Sequence, residues 1–204
     1  MTHHPIWLFR HGETVWNAEK RAQGHLDSPL TQTGREQARV MGRGLARELA
    51  AAGYAPATVI VRSSPLGRVR ETLALAAAEA GLLHDEACHD DRLREMSWGD
   101  WDGLNGTEIE ARFPGQMAAR RDDKWNYCPP RGENYIMAAE RAQAALDDIV
   151  ALAATKPVAV FAHGAIGRVL RGLFTRAAQN DILDMDQPQD AFYRLHGGAA
   201  HRIS

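Results

Sequence analysis

Two histidines, His11 in "RHGE" and His163 in "AHGA", each stand directly before a glycine and directly after a short apolar run. A neutral imidazole offers a nucleophilic nitrogen near pH 7, so a pair brought together suits proton transfer or covalent group transfer. The glycines allow backbone to approach a bound group closely. Arg10 precedes the first histidine, and Arg68 follows the turn at Ser63 and Ser64 in "SSPLGRVRET". Guanidinium groups bind phosphate oxygens in a two-pronged fashion, so these side chains together favour an oxyanion, and phosphate above other anions. The chemistry they imply is the binding of an oxyanion, phosphate in particular.

Such a cluster forms only if the elements carrying it are neighbours. Ile6 to Phe9, Ala57 to Arg62 and Pro157 to Ala162 are short apolar runs rich in β-branched residues, and they read as buried parallel strands. Helical patterns run from Leu30 toward Gly53, from Leu66 to Gly81, from Glu133 to Ala154 and from His163 to Phe174; the first two stop at a glycine, as helix C-termini often do. Strand then helix, repeated, predicts an α/β fold: a three-layer sandwich with a mostly parallel central sheet flanked by helices. Ligands of such sheets bind where strands end and helices begin, which is where His11, Ser63 and His163 stand. The helix N-terminus that follows His163 would present free N–H groups to an anion. "FPGQ" and "CPPRGEN" flank a charged, aromatic stretch from Met117 to Tyr127. It reads as part of a small cap over the strand C-terminal ends, inserted around residues 98–135 of a single domain spanning 1–204. "AFYRLHGGAAHRIS" alternates about His196-Gly197-Gly198 and predicts a hairpin or edge strand.

The bulk properties narrow the field. With 204 residues, 45% of them hydrophobic and 25% charged, the chain can bury one substantial core. A net charge of -2 provides no basic field to recruit nucleic acid or an anionic membrane, so any anion must be caught locally. Cys88 and Cys128 are too few and too far apart for a disulfide framework or a paired-cysteine zinc site, which fits a reducing cytoplasm. No secretory leader pattern and no run of membrane-spanning length is present. Nothing in the sequence indicates an oligomeric state.

"RHGETVWN", "QGHLDSPLTQTGREQA", "SSPLGRVRET", "LREMSWGDWDG", "RGEN" and "AHG" follow one another in the order seen in the histidine phosphatase (phosphoglycerate mutase-like) superfamily, which the chain resembles from Trp7 to about Arg171. The resemblance implies that His11 is the nucleophile and forms a phosphohistidine. A hydrogen bond from its other ring nitrogen to a backbone carbonyl would fix the tautomer. It further implies that Arg10, Arg68 and His163 hold the phosphoryl oxygens, with Asn17, Gly164 and the Gln23-Gly24 backbone completing the pocket. Glu95 matches the general acid, protonating the leaving oxygen and then activating water. Trp98, Arg120, Arg121 and Glu133 are the candidates for contacting the rest of the substrate. No metal and no cofactor are expected, because protein cations would neutralise the charge.

Asn134, Asp102 and Leu73 stand where relatives more often have serine, glutamate and alanine, departures that touch the periphery and bear on specificity. Glu95 has an alternative role pairing with Arg92 or Arg94, and the tryptophans one as packing. Three functions compete. The first is a phosphomonoesterase acting on a small phosphorylated metabolite; "GDWDGLNGTEIEARFP" is closer to that branch. The second is a cofactor-dependent phosphoglycerate mutase, for which basic cap residues, Lys124 included, would grip the substrate carboxylate. The third is a catalytically silent binder of phosphorylated ligands.

Overall fold

The structure, a computed structural model, describes residues 4–83 and 88–204. The chain begins with strand β1 (Ile6–Arg10) and a one-turn helix α1 (Val15–Ala18), followed by the long helix α2 (Gln32–Ala52). Strand β2 (Ile60–Ser63), helix α3 (Gly67–Ala80) and the short strand β3 (Cys88–His89) come next. Helices α4 (Gly106–Arg112) and α5 (Gln116–Asp122) lie within the 98–135 stretch, and α6 (Tyr135–Ala153) follows it. Strand β4 (Val158–Ala162), helices α7 (Gly164–Thr175) and α8 (Gln179–Asp184), and the hairpin β5 (Phe192–His196) and β6 (Ala199–Ile203) complete the chain.

The six strands form one sheet in the order β3-β2-β4-β1-β5-β6. The first four are mutually parallel, and β5 and β6 extend the sheet antiparallel beyond β1. The fold is therefore an α/β sandwich with a mostly parallel sheet. Its residues alternate between two cores, as the period of two dictates. Ile6, Leu8, Val158 and Val160 pack under α6 and α7, whereas Trp7, Phe9, Ala159 and Phe161 pack against α2 and α3. Phe9 stacks between Phe161 and Phe192 at centroid distances of 4.4 and 4.5 Å. Such pairs add about 0.5–1.5 kcal/mol each beyond the area they bury. On α2 the buried Ala38, Met41, Leu45 and Leu49 recur at helical spacing and form the stripe that faces this core.

Local boundaries differ from the sequence expectation where caps decide them. Ala57 is not in a strand: Pro56 to Thr58 form a 3-10 turn, and β2 starts at Ile60, whose N–H reaches Pro157. Proline at the first position of that turn is preset for it and has no N–H to give a ladder. Thr31 caps α2 by accepting the Gly34 N–H, so that helix begins at Gln32. Asn134 caps α6 by accepting the Met137 N–H, a role in which asparagine and serine serve about equally well. A third, smaller core holds the segment over the strand ends together: Trp101, Leu104 and Ile109 are buried against Trp98, Phe113, Met117 and Tyr127.

Candidate active site

Registration of β1 against β4 pairs Arg10 with Ala162, so the next residues, His11 and His163, leave adjacent strands at the same level. The His11 N–H continues the ladder to the Ala162 carbonyl at 3.2 Å, and the Ser64 N–H does the same to Phe161 at 2.9 Å from the other side. The imidazole rings end 5.2 Å apart, tilted by 65°. Both are withdrawn from water, His11 being 3% and His163 0% exposed. Close packing locks the first of them in place. A Cβ on Gly12 would stand 2.2 Å from the Gly34 carbonyl oxygen, so only glycine lets this turn rest on the first turn of α2.

His11 Nδ1 lies 2.8 Å from the Gly12 carbonyl oxygen. A carbonyl only accepts, so Nδ1 carries the proton and the lone pair belongs to Nε2. Burial first, then Arg68 and Arg10, holds the His11 imidazolium well below its ordinary range; His163 is lowered in the same way, by burial and then Arg68 and His11. His163 Nε2 is 2.7 Å from Ser64 Oγ, and its buried Nδ1 has no partner. Both rings are thus neutral at pH 7, one with an available lone pair and the other with an uncommitted nitrogen.

This has a consequence for stability. The unfolded chain takes up protons on both imidazoles as pH falls through the ordinary value of 6.5, while the folded protein does not. The folded state binds fewer protons, so stability is greatest above that value and is lost progressively below it. The thermal midpoint is expected to fall between about pH 7.5 and about pH 5.5, before carboxylates titrate. His163→Asn should flatten that slope; calorimetry showing the same slope in the variant and wild type would contradict the assignment.

Arg10 donates from one terminal nitrogen to the Gln187 carbonyl at 2.8 Å, and its buried Nε has no partner. Its guanidinium lies against Gly164, where a Cβ would come within 3.3 Å of it. Arg68 is fully buried and tied to its neighbours: its terminal nitrogens reach the carbonyls of Leu26 and Gly24 and the Asp27 carboxylate at 2.7–2.9 Å, leaving a buried Nε unpartnered. Asn17 Oδ1 accepts from the Thr14 N–H at 3.2 Å and from Gln189 Nε2 at 2.8 Å, which turns its amide Nδ2 away from those donors. Gln23 Oε1 accepts the Thr14 hydroxyl and its buried Nε2 is unpartnered. Glu95, 8% exposed, sets its carboxylate on the first turn of α7: Oε1 accepts from Met96 and Ile166 N–H, and Oε2 from Ala165 N–H at 3.0 Å. It pairs with neither Arg92, which binds Asp90 and Asp148, nor Arg94, which binds Asp91.

Arg10, His11, Asn17, Gln23, Glu95, Trp98, Arg120 and Gly164 line a cavity of about 310 Å³, whereas the buried Arg68 and His163 are not among its lining residues. A second cavity of about 450 Å³ shares Arg10, Asn17, Trp98 and Arg120 with it and is floored by Leu104, Ile109 and Met117. Among the described residues no group of three or more His, Cys, Asp or Glu converges as a metal-binding set.

Three sequence candidates do not join this arrangement. The Gly24 N–H is taken by the Asp102 carboxylate, whereas the buried Gln23 Nε2 beside it is unspent. Glu133 is bound by Arg141 and the Ser97 N–H and lines neither cavity, because its role is to fasten the Glu95 segment to α6. Arg121 is exposed on α5, one residue and about 100° of helix away from Arg120. Conversely, Arg168, Lys124, Tyr135 and Arg21 line the smaller cavity. Arg168 was legible: it lies four residues after Gly164, on the same helical face. Gln187 and Gln189 carry no local signal, since only folding brings them to Arg10 and Asn17.

A family model for the histidine phosphatase superfamily (branch 1) matches residues 6–201. The chain belongs to that superfamily. A glucosyl-3-phosphoglycerate phosphatase of Mycolicibacterium vanbaalenii is 34% identical over 170 residues, covering 78% of this chain and 68% of the relative. Phosphoglycerate mutase-like protein 4 of Arabidopsis thaliana is 35% identical over 173 residues, covering 84% and 70%. Among solved structures, a mycobacterial glucosyl-3-phosphoglycerate phosphatase in complex with VO3 superposes with a TM-score of 0.78 at 27% identity, covering 98% of this chain and 97% of that one. The alpha-ribazole phosphatase of Shigella flexneri shares the fold, with a TM-score of 0.79 at 22% identity over 96% and 93% of the two chains. Within this superfamily fold, the two histidines and Glu95 occupy the ends of β1 and β4 and the loop facing them.

Proposed function

We propose that this histidine phosphatase superfamily member is a phosphomonoesterase that works through a phosphohistidine at His11 on a small phosphorylated metabolite. The observation that carries the reading is the fixed, neutral His11 ring, whose Nδ1 proton is spent on Gly12 and whose Nε2 lone pair is not. In the first step Nε2 attacks phosphorus as the ester P–O bond breaks, and protonated Glu95 gives its proton to the departing alcohol oxygen. In the second step the Glu95 carboxylate takes a proton from water, whose oxygen attacks the phosphohistidine; phosphate leaves and Nε2 regains its lone pair. Arg10, the Arg68 Nε, Asn17 Nδ2 and His163 Nδ1 stabilise the phosphoryl oxygens as charge develops on them, with the Ser64 hydroxyl turning its proton toward His163 Nε2.

The relatives' names support a small-metabolite substrate, as do the two adjoining cavities, which have room for a phosphate and an organic body of modest size. In this reading the chain is one domain with residues 98–135 as its cap. It works in the cytoplasm, where the exposed Cys128 thiol stays reduced, and neither nucleic acid nor membrane is a partner. No described helix is long and apolar enough to cross a membrane. The test is acid-quenched labelling with a panel of radiolabelled phosphomonoesters, together with phosphate release in the presence of chelator. An acid-labile phosphoenzyme with stoichiometric phosphate release is expected. Identity with a mutase-like relative favours one competing reading, and rapid isomerisation of 3-phosphoglycerate with a bisphosphoglycerate primer and little phosphate release would favour it over hydrolysis.

A further inference from the structure

Glu95 lies in neither helix nor strand, so no ladder or helical turn fixes its backbone. A catalytic group misplaced by about 1 Å can cost on the order of 10²-fold in rate, so something else must hold it. Its carboxylate is set on the first turn of α7, and its backbone is held as well. The Glu95 carbonyl oxygen accepts from two side chains, Arg141 of α6 at 3.1 Å and the His25 imidazole at 3.0 Å. A carbonyl only accepts, so His25 Nε2 carries a proton and donates it. Arg141 also donates to the carbonyls of Arg92 and Arg94, which fastens the approach to Glu95 onto α6. His25 reaches the same oxygen from a different part of the chain, the loop between α1 and α2.

That loop also holds Arg68. The residues on either side of His25, Gly24 and Leu26, offer their carbonyls to the terminal nitrogens of Arg68 at 2.7 and 2.9 Å. Asp27 accepts from the same guanidinium and from the Gly67 N–H at the start of α3. The Gly24 and His25 N–H groups are taken by the Asp102 carboxylate, farther along the Glu95 segment. Residues 24–27 therefore join Arg68 to that segment through backbone carbonyls, backbone N–H groups and one imidazole. On the phosphatase reading above, we infer that His25 is a positioning residue, which fixes the Glu95 backbone relative to the Arg68 guanidinium. The general acid and the cation on the phosphoryl group then keep one spacing through both steps. His25 lines neither cavity, so it acts through Glu95 and not on the substrate.

The experiment compares His25→Phe, which keeps a ring without the donor, with His25→Gln, whose side-chain amide donates from about the reach of Nε2. The substrates are ethyl phosphate and para-nitrophenyl phosphate. The His25 side chain is exposed, so both variants should fold, and His25→Leu carries the comparison should the phenylalanine variant fail to. His25→Phe should slow ethyl phosphate turnover and phosphohistidine hydrolysis about tenfold, the scale of one lost hydrogen bond. The phosphoenzyme should still form from para-nitrophenyl phosphate within about twofold of the wild-type rate, because that leaving group needs little acid help. His25→Gln should bring the slowed steps back to within about threefold of wild type. In a Glu95→Gln background, His25→Phe should change turnover by less than about twofold, since the group it positions is gone. Four results overturn the positioning role: wild-type kinetics in His25→Phe, equal slowing of both steps with the aryl ester, a glutamine variant as slow as the phenylalanine one, or an undiminished loss in the Glu95→Gln background. Each leaves the phosphatase reading intact, since wild type then still forms and hydrolyses its phosphoenzyme. A wild type that forms no phosphoenzyme with either ester overturns the phosphatase reading, and the role of His25 with it.

Discussion

His11→Ala is expected to abolish the phosphoenzyme and to lower kcat by at least about 10⁴-fold, the scale on which loss of a nucleophile is felt when the remaining groups still bind substrate. The magnitude follows from the geometry. The ring has its tautomer set by the Gly12 carbonyl, 2.8 Å from Nδ1, and is kept neutral by burial and two arginines, so a ready lone pair is presented without prior deprotonation. No neighbour can substitute, because His163 Nε2 is engaged with Ser64 and its ring sits 5.2 Å away. The variant should remain folded and bind inorganic phosphate, since Arg10, Arg68 and Asn17 are held by their own partners. Added imidazole should restore part of the turnover by occupying the vacated space. Undiminished activity in His11→Ala, or a label that moves to another residue, would sink the assignment.

Glu95→Gln is the second large effect, and its signature is different. With alkyl phosphates, whose leaving oxygen needs a proton, kcat should fall by about 10²–10⁴-fold, the range of general acid–base catalysis. With an aryl phosphate the first step needs little acid help, so the phosphohistidine should form quickly and then persist, giving a burst followed by slow release. Stability should drop too. Both carboxylate oxygens accept backbone N–H groups, from Met96, Ala165 and Ile166. A glutamine must turn its NH2 toward one of those donors, which costs about 1–3 kcal/mol for the unsatisfied pair. Glu95→Asp is the informative contrast: it keeps the ionisable group but is one methylene short of α7. Rapid quench and ³¹P spectroscopy distinguish these outcomes, and a Glu95→Gln enzyme that dephosphorylates at the wild-type rate would remove Glu95 from the second step.

Some of this is legible in the sequence. The apolar runs that end at Arg10 and Ala162 announce buried strands, because a segment covered on both faces has no polar positions to spare. The glycines after His11 and His163 and the serine turn before Arg68 mark places where backbone must bend or approach closely. Those signals are local; the Thr31 and Asn134 caps are local too, yet the apolar periodicity alone starts these helices at Leu30 and Glu133. The antiparallel extension by β5 and β6 was half visible: the glycine pair at 197 and 198 turns a hairpin, but nothing in the sequence says that β5 lies beside β1.

What residue types alone could not decide is which donors remain unspent. Gly24 and Glu133 have the chemistry for a pocket, yet Asp102 and Arg141 consume it. Gln187 and Gln189, more than 170 residues from the groups they hold, owe their roles wholly to the segment between α8 and β5, which the pairing of β5 with β1 brings back to Arg10 and Asn17. Arg120 and Arg121 are indistinguishable as letters, and one residue of helical rotation puts the first over Trp98 in the cavity and the second in solvent. The sequence by itself determined the chemistry on offer and the strands that carry it, because those depend on side-chain type and short-range periodicity. The tertiary structure alone decided which of those groups face one another and which are already bound, because hydrogen-bond partners and burial are set by residues distant in the chain.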